Sequence, residues 1–207
     1  MVRRTKEEAT ATRELLLDTA EQIFLRQGVA RASLHDIAAA AGLTRGAIYW
    51  HFKDKADLFC AMMDRATLPC EQAVADIEQR SDGDPLADLR ALALMPLESL
   101  RRDERTRRVF CIAIHHTEYS DELQPVRQRH QDNVADYTLR LERLIQAGQQ
   151  VGSIPAALPA HTAALGLFAL IDGLLKHATL TDEPLPVLEG GEVTIGIYLR
   201  GLSLRSL

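Results

Sequence analysis

The fold is decided by the stretch from Ser33 to Phe52, which reads SLHDIAAAAGLTRGAIYWHF. Ser33 and Thr44 are residue types that begin helices, because their side-chain oxygens accept hydrogen bonds from unpaired backbone N–H groups. Gly42 is suited to the left-handed backbone conformation that ends a helix. The stretch therefore predicts two short helices joined by a tight turn, with the second running from Arg45 to Phe52.

A longer helix is predicted on each side of this pair. Residues from Thr12 to Gln27 carry apolar side chains at helical spacing, and Gly28 ends the run. After the pair, Asp54 can cap a further helix that begins at Lys55. Two short helices packed against a first helix form a helix-turn-helix, whose second helix enters the major groove of DNA. The spacing thus fits a helix-turn-helix domain over residues 1–54, which is compatible with DNA binding and also with an ordinary pair of packed helices.

The rest of the chain also shows helical spacing and no sustained alternation typical of strands. Further helices are expected at Pro85 to Arg102, Arg105 to Glu118, Leu123 to Ala147, Pro159 to Leu180 and Glu192 to Leu204. We therefore expect an all-α protein of about nine helices. A connector helix and linker over 55–84 would join the three-helix DNA-binding domain to a larger helical domain over 85–207.

Charge and cysteine content restrict the class of protein. The net charge is −5, but residues 1–65 carry +1 and the remainder −6, so one end can approach phosphates. The three cysteines, Cys60, Cys70 and Cys111, lack the spacing of a disulfide framework or a zinc site. No apolar leader is visible at the N-terminus. We expect a cytoplasmic protein with no membrane segment, no metal and no cofactor.

Helical phase divides the second short helix into two faces. It turns Ala47, Ile48 and Phe52 toward the core. The outward side chains are Thr44, Arg45, Tyr49 and His51. An arginine can contact a guanine edge or a phosphate, hydroxyl groups can contact phosphates, and Gly46 allows close approach of the backbone to DNA. Lys53 and Lys55 flank this face and are expected to bind phosphates. The alternative is an ordinary solvated face, with Tyr49 and Trp50 half-packed against the connector.

The run from Thr12 through Phe59, with AAAAGLTRGAIYWHFKDKADLF at its centre, resembles the DNA-binding head of the TetR family, especially its AcrR-type multidrug-efflux repressors. This resemblance implies a homodimeric transcriptional repressor that binds a palindromic operator in double-stranded DNA. The residues implied in DNA contacts are Ser33, Thr44, Arg45, Gly46, Tyr49, Trp50, His51 and Lys55. Arg3, Arg4 and Lys6 could add contacts. No nucleophile elbow, P-loop, dinucleotide fingerprint or HExxH motif occurs, so we do not expect an enzyme.

The resemblance further implies that the larger domain binds a small hydrophobic or amphipathic inducer and that the regulated operon encodes a multidrug efflux pump. Asp172 is a candidate ligand contact, because a carboxylate in the apolar run from Ala163 to Leu175 needs a partner. The alternative is an i,i+4 ion pair with Lys176. The other candidates, which also fit an ordinary core, are Phe168, Cys111, Phe110, His115, Leu92, Met95 and Met62. We expect ligand entry to move the connector and shift the two heads out of register.

Three further features of the larger domain suggest other roles. Adjacent histidines such as His115 and His116 point about 100° apart on a helix, so a metal site with Glu118, Asp121 or His130 is not expected. Cys60 and Cys70 lack a neighbouring Lys or His that would lower the pKa of a redox-sensing thiol. The last two helices are apolar over wide arcs, which is typical of a four-helix interface between two subunits. A helical module that binds a protein instead of DNA is the remaining alternative for the head.

Overall fold

A computed structural model describes residues 6–79, 83–118, 120–181 and 183–203. These residues form nine α-helices, one short 3-10 turn at Asp121–Leu123 and no strand, which confirms the all-α prediction. The helices are α1 (Lys6–Gln27), α2 (Leu34–Ala40), α3 (Arg45–Tyr49), α4 (Lys55–Gln79), α5 (Pro85–Arg102), α6 (Glu104–His115), α7 (Gln124–Gln150), α8 (Ala160–Leu180) and α9 (Pro184–Ser203).

The bounds of α5 are those predicted, and α6, α7 and α8 differ from prediction by at most three residues at either end. Two helices in the N-terminal region, α1 and α3, differ from their predicted bounds. The described part of α1 is already helical at Lys6, before the predicted start at Thr12, and the acidic residues in its first turn interact favourably with the helix dipole. α3 ends at Tyr49 and not at Phe52, because Trp50 is its C-cap and the chain then turns toward α4.

The start of α9 was predicted wrongly. The helix begins at Pro184 and continues through Gly190 and Gly191, whereas the predicted start was Glu192. Tertiary packing explains this difference, since a Cβ atom at Gly191 would lie 2.5 Å from a methyl carbon of Leu97. Gly191 is therefore a point of close helix approach, not the end of a helix.

The chain forms two compact units, which we describe separately. The first comprises Met1–Ala66 and Arg108–Arg129, and so contains α1 to α3, the start of α4 and the adjoining ends of α6 and α7. Its core joins side chains from all these elements, including Phe24, Ile37, Ile48, Phe59 and Leu123. The rings of Phe24 and Phe59 lie 6.2 Å apart between centroids. This core holds the two short helices in place.

The second unit comprises Thr67–Arg107 and His130–Leu207, and α5, α8 and α9 pack together within it. The hydroxyl of Tyr198 on α9 donates a hydrogen bond to the carbonyl of Ala163 on α8, at 2.8 Å. A Cβ atom at Gly166 would lie 2.5 Å from that hydroxyl oxygen, so a larger residue there would displace the Tyr198 side chain. Burial raises the pKa of Tyr198.

Within the described residues, α8 is the one helix that is long and apolar enough to cross a membrane by length and composition. One side of α8 is buried inside the second unit through Ala163, Leu167 and Ile171. Its other side exposes Leu165 and Leu180. A helix that packs on one side against its own domain and presents an apolar face on the other is also typical of an oligomer interface.

Candidate nucleic-acid interface

The first short helix begins with a complete capping box. Ser33 accepts a hydrogen bond from the backbone N–H of Asp36 at 3.1 Å, and the carboxylate of Asp36 accepts one from the backbone N–H of Ser33 at 3.2 Å. The Ser33 hydroxyl also donates to this carboxylate at 2.7 Å, and that bond lowers the pKa of Asp36. Ser33 is exposed, but its hydroxyl already serves the start of α2.

The turn between the two short helices has the predicted geometry. Gly42 has a φ of +70°, in the left-handed region that favours glycine, and the N–H of Leu43 bonds to the carbonyl of Ala38 at 2.8 Å. Thr44 then caps α3 by accepting a hydrogen bond from the N–H of Ala47 at 3.3 Å. The helix-turn-helix predicted from the sequence is therefore present.

The two faces predicted for the second short helix are present except at Ala47 and His51. Ile48 and Phe52 are fully buried, whereas Thr44, Arg45, Gly46 and Tyr49 are exposed. His51 and Ala47 are half-buried. We call this set of exposed residues at the second short helix the α3 face (Thr44, Arg45, Gly46, Tyr49 and Trp50).

Trp50 is not half-packed against the connector helix, which was the alternative expected from the sequence. Its side chain is 89% exposed, the largest exposed fraction among the large apolar residues of the described chain. In contrast to Trp50, the nearby aromatic residue Phe52 is buried, and the guanidinium of Arg13 of α1 lies 5.1 Å from its ring centroid. An indole held in water at the end of α3 is well placed to contact a partner.

Lys55 does not lie on the α3 face. Its side chain is only 5% exposed, and its ammonium donates to the carbonyls of Ala30 at 3.2 Å and Ala32 at 3.0 Å. The same ammonium pairs with Glu122 at 2.9 Å. This geometry does not fit the phosphate contact expected of the Lys55 ammonium, whereas Lys53 is exposed. The position of Lys55 next to the predicted recognition helix had suggested a phosphate ligand, and the sequence alone did not reveal its partners Ala30, Ala32 and Glu122.

The remaining cationic candidates lie at the N-terminus. Arg3 and Arg4 are outside the described residues. Lys6 is exposed and begins α1.

An ion-pair cluster that we had not predicted joins α1 to α4. Arg65 of α4 pairs with Glu14 at 2.7 Å and Asp18 at 2.9 Å, and also with Glu21, which is only 3% exposed. Burial disfavours the charge on Arg65, but the hydrogen bond to Glu14 and the charge of Glu21 outweigh it and raise the pKa of Arg65. The spacing of these acids along one face of α1 was the available sequence signal.

The inducer candidates divide equally between the two units. Met62, Phe110, Cys111 and His115 belong to the first, and Leu92, Met95, Phe168 and Asp172 belong to the second. Met62 is fully buried in the first unit's core, while His115 is exposed. Burial raises the pKa of the Cys111 and Cys60 thiols. The side chain of Cys70 is not among those described.

Asp172 forms the i,i+4 ion pair with Lys176 that was the alternative to a ligand contact. The Lys176 ammonium lies 2.6 Å from its carboxylate, one helical turn away on α8, and both side chains are partly exposed. Asp172 is therefore not a buried carboxylate without a counter-charge. The sequence pattern could not choose between this pair and a ligand contact.

A small aromatic cluster joins two other candidates within the second unit. Tyr137 of α7 donates a hydrogen bond to the carbonyl of Leu92 at 2.7 Å, and its ring lies 6.2 Å from that of Phe168 in an edge-on arrangement. We had not singled out Tyr137. An aromatic residue with a hydroxyl on an otherwise polar helix was the signal that could have identified it.

A separate open cavity of about 480 Å³ lies between α8 and α9 and contains none of the inducer candidates. Its lining residues are Ala169, Leu170, Gly173, Leu174, His177, Pro186, Val187, Gly190 and Thr194. Around it, Leu165, Leu180, Leu185, Val193 and Ile197 are exposed. In the part of the chain that the structure describes, no group of three or more His, Cys, Asp or Glu residues could hold a metal ion.

Comparison with known proteins decides the family. A profile for bacterial regulatory proteins of the tetR family matches residues 16–62, and one for the C-terminal region of MAATS-type transcriptional repressors matches residues 84–203. This chain belongs to the TetR family. The transcriptional regulator TtgR of Pseudomonas putida is 40% identical over 192 residues, which cover 91% of this chain and 90% of TtgR.

Two solved structures have the same fold over nearly the whole chain. NalD, the secondary repressor of the MexAB-OprM multidrug efflux pump in Pseudomonas aeruginosa, superposes with a TM-score of 0.86, 33% identity and coverage of 97% and 100% of the two chains. The complex of SmeT with triclosan superposes with a TM-score of 0.81 at 31% identity, and the match covers 95% of this chain and 93% of SmeT. SmeT represses the SmeDEF multidrug efflux pump of Stenotrophomonas maltophilia. The resemblance to TetR-family efflux repressors is thereby confirmed.

Proposed function

We propose that this TetR-family chain binds a palindromic operator in double-stranded DNA as a homodimer, represses a multidrug efflux-pump operon and is released by a small amphipathic inducer. The observation that carries the proposal is the α3 face, a set of exposed polar and aromatic side chains held by a buried Ile48 in a helix-turn-helix. A regulator of this kind works in the cytoplasm, where the DNA is.

The α3 face suits DNA through distinct chemistry at each position. Arg45 can bind a phosphate or a guanine edge, and the hydroxyl groups of Thr44 and Tyr49 can bind phosphates. A Cβ atom at Gly46 would meet no protein atom within 4 Å, so this glycine is not explained by packing within the chain. We propose that Gly46 leaves room for the duplex. Ser33 and His51 would add contacts at the edge of the face.

A second copy of this chain would complete the operator-binding protein. The exposed apolar side chains of α8 and α9, such as Leu165, Val193 and Ile197, form the surface that we assign to the dimer. Pairing about a two-fold axis would present two heads to successive major grooves, which lie about 34 to 36 Å apart. Each head then binds one half of a palindrome.

For the inducer, the solved complex of SmeT with triclosan provides the chemical class, a small and largely apolar molecule. In this chain the Tyr137, Phe168 and Leu92 cluster offers aromatic and aliphatic surface together with a hydroxyl group. Met95 and Asp172 of the same unit would complete this site, and Asp172 would have to exchange Lys176 for the ligand. α4 continues from the first unit into the second, so we propose that it carries the response to the head.

The proposal is tested by measuring the affinity of the chain for a duplex that it has itself enriched from a random-sequence library, over a range of salt concentrations. We expect Arg45→Ala to reduce affinity and to lower the slope of log affinity against log salt by about 0.9, if the lost contact is to one phosphate. Arg26→Ala is the matched control, since Arg26 is an exposed arginine on α1. Failure to enrich any duplex, or equal effects of the two variants, would contradict the proposal.

Release is tested on the same complex by adding triclosan as the probe. We expect triclosan to dissociate the wild-type protein from the duplex and to raise its unfolding temperature, because a ligand that binds the folded state stabilises it. Phe168→Ala should weaken both effects without reducing the affinity of the unliganded protein for DNA. Equal responses of the wild type and this variant would show that the aromatic cluster is not part of the inducer site.

A further inference from the structure

Lys55 is the point at which three separate parts of the first unit meet. It is the first residue of α4, which follows the DNA-reading helix α3 directly. Its ammonium holds the carbonyl of Ala32, the residue just before the Ser33 cap of α2, and also the carbonyl of Ala30. Its third partner is Glu122, in the 3-10 turn that leads into α7.

The neighbourhood of Glu122 makes a second, independent contact with the same region. The backbone N–H of Val29, in the turn between α1 and α2, donates to the carbonyl of His116 just after α6, at 2.9 Å. Leu123, next to Glu122, is fully buried in the core that also contains Ile37 and Ile48. The chain around the ends of α6 and α7 is thus attached to the helix-turn-helix by an ion pair, a backbone hydrogen bond and a buried leucine.

We propose that Lys55 is a positioning residue for DNA binding, and that its ion pair with Glu122 couples the chain between α6 and α7 to the placement of α2 and α3. If Glu122 moves, Lys55 can keep its counter-charge only by moving with it, which displaces the carbonyls of Ala30 and Ala32 or breaks their hydrogen bonds to the ammonium. This inference rests on the proposed DNA-binding function. It assigns to Lys55 and Glu122 a role in fixing the reading helix, with no contact to DNA through the ammonium.

A phosphate-binding role and a positioning role for Lys55 predict opposite effects of one substitution. Glu122→Gln removes the negative partner and leaves Lys55 with its two carbonyls. If the ammonium were a phosphate ligand held back by Glu122, the variant would bind DNA more tightly and with a steeper salt dependence. If Lys55 positions the helices, the variant binds more weakly and the salt slope does not change.

The test measures affinity for the enriched duplex, and its salt slope, for the wild type, Glu122→Gln, Lys55→Met, the double variant and Asp121→Asn. Asp121→Asn is the matched control, because it removes the same charge from the neighbouring residue of the same turn. We expect Glu122→Gln to lose roughly fivefold in affinity, Lys55→Met at least as much, and the double variant no more than Lys55→Met alone. Affinities are calculated per active molecule from stoichiometric titration, so a loss of folded protein is not counted as weaker binding.

Several outcomes would overturn the inference. Tighter binding by Glu122→Gln, a salt slope lowered by about 0.9 in Lys55→Met, or equal affinities of Glu122→Gln and Asp121→Asn each contradict it. If Lys55→Met does not fold, the comparison of Glu122→Gln with Asp121→Asn still decides, because Glu122 is 55% exposed and its substitution leaves the core intact. Absence of salt-dependent binding by the wild type would instead refute the proposed function itself.

Discussion

At the scale of single residues, Ile48 of α3 and the C-cap residue Trp50 lie in opposite environments. Ile48 is fully buried and fixes the helix in the core, while Trp50, two residues on, is almost entirely in water. Helical periodicity predicted that Ile48 and Phe52 are buried and that Thr44, Arg45 and Tyr49 are exposed, and the structure confirms this. Ala47 and His51, predicted to face the core and the solvent respectively, are both half-buried. Periodicity reports burial and not partners, so it could not find the carbonyls that hold Lys55.

We predict that Trp50→Ala and Ile48→Ala separate DNA binding from stability. Trp50→Ala should change the free energy of unfolding by no more than about 0.5 kcal/mol, because its indole has few contacts to lose, but should weaken DNA binding. Ile48→Ala should destabilise the protein by about 2 to 5 kcal/mol through the cavity that it leaves. Chemical denaturation and DNA titration check both. A Trp50→Ala variant as unstable as Ile48→Ala would mean that the indole is packed.

At the scale of elements, the helix set could be predicted from apolar spacing and caps, but their close approaches could not. The predicted start of α9 was Glu192, yet the helix begins at Pro184 and runs through Gly190 and Gly191, and Gly191 packs closely against Leu97 of α5. The Arg65 cluster was likewise invisible to periodicity, since it depends on which face of α1 lies against α4. Pairing between distant segments is information that a local pattern does not contain.

We predict that Arg65→Met destabilises the protein through Glu21. Removing one member of a buried pair leaves the other charge uncompensated, which costs up to about 3 kcal/mol here, since Arg108 lies 3.7 Å from Glu21 and offsets part of the loss. Adding Glu21→Gln should recover much of the stability, because the buried charge is then gone. Denaturation of the two variants measures this. A double variant less stable than Arg65→Met would show that the charge of Glu21 is not the cause.

At the scale of the whole molecule, two features of the chain point to a dimer that binds DNA. Residues 1–65 carry a net charge of +1 and the remainder −6. Phosphates therefore repel residues 1–65 less than they repel the rest of the chain. The C-terminal part of the chain exposes apolar side chains along α8 and α9. The sequence predicted both features, but the site for the inducer could not be predicted equally well, because core and pocket residues share the same chemistry.

We predict that Ile197→Glu prevents dimerisation. The side chain of Ile197 is exposed on α9 in the single chain, so a glutamate there is tolerated by the fold but would be buried without a partner in the dimer. Leu139→Glu is the matched control, since Leu139 is an exposed apolar residue on α7. Sedimentation should show a monomer for Ile197→Glu and a dimer for Leu139→Glu. A dimer for both would place the interface elsewhere.

The most direct test of the central claim is a hydroxyl-radical footprint of the wild-type protein on its enriched duplex. A homodimer that reads DNA with the α3 face should protect two symmetric patches whose centres lie about 34 to 36 Å apart. Arg45→Ala and Ile197→Glu should both lose this protection at concentrations where Arg26→Ala and Leu139→Glu retain it. No protection by the wild type, a single unsymmetrical patch, or protection unaffected by Arg45→Ala would contradict the claim.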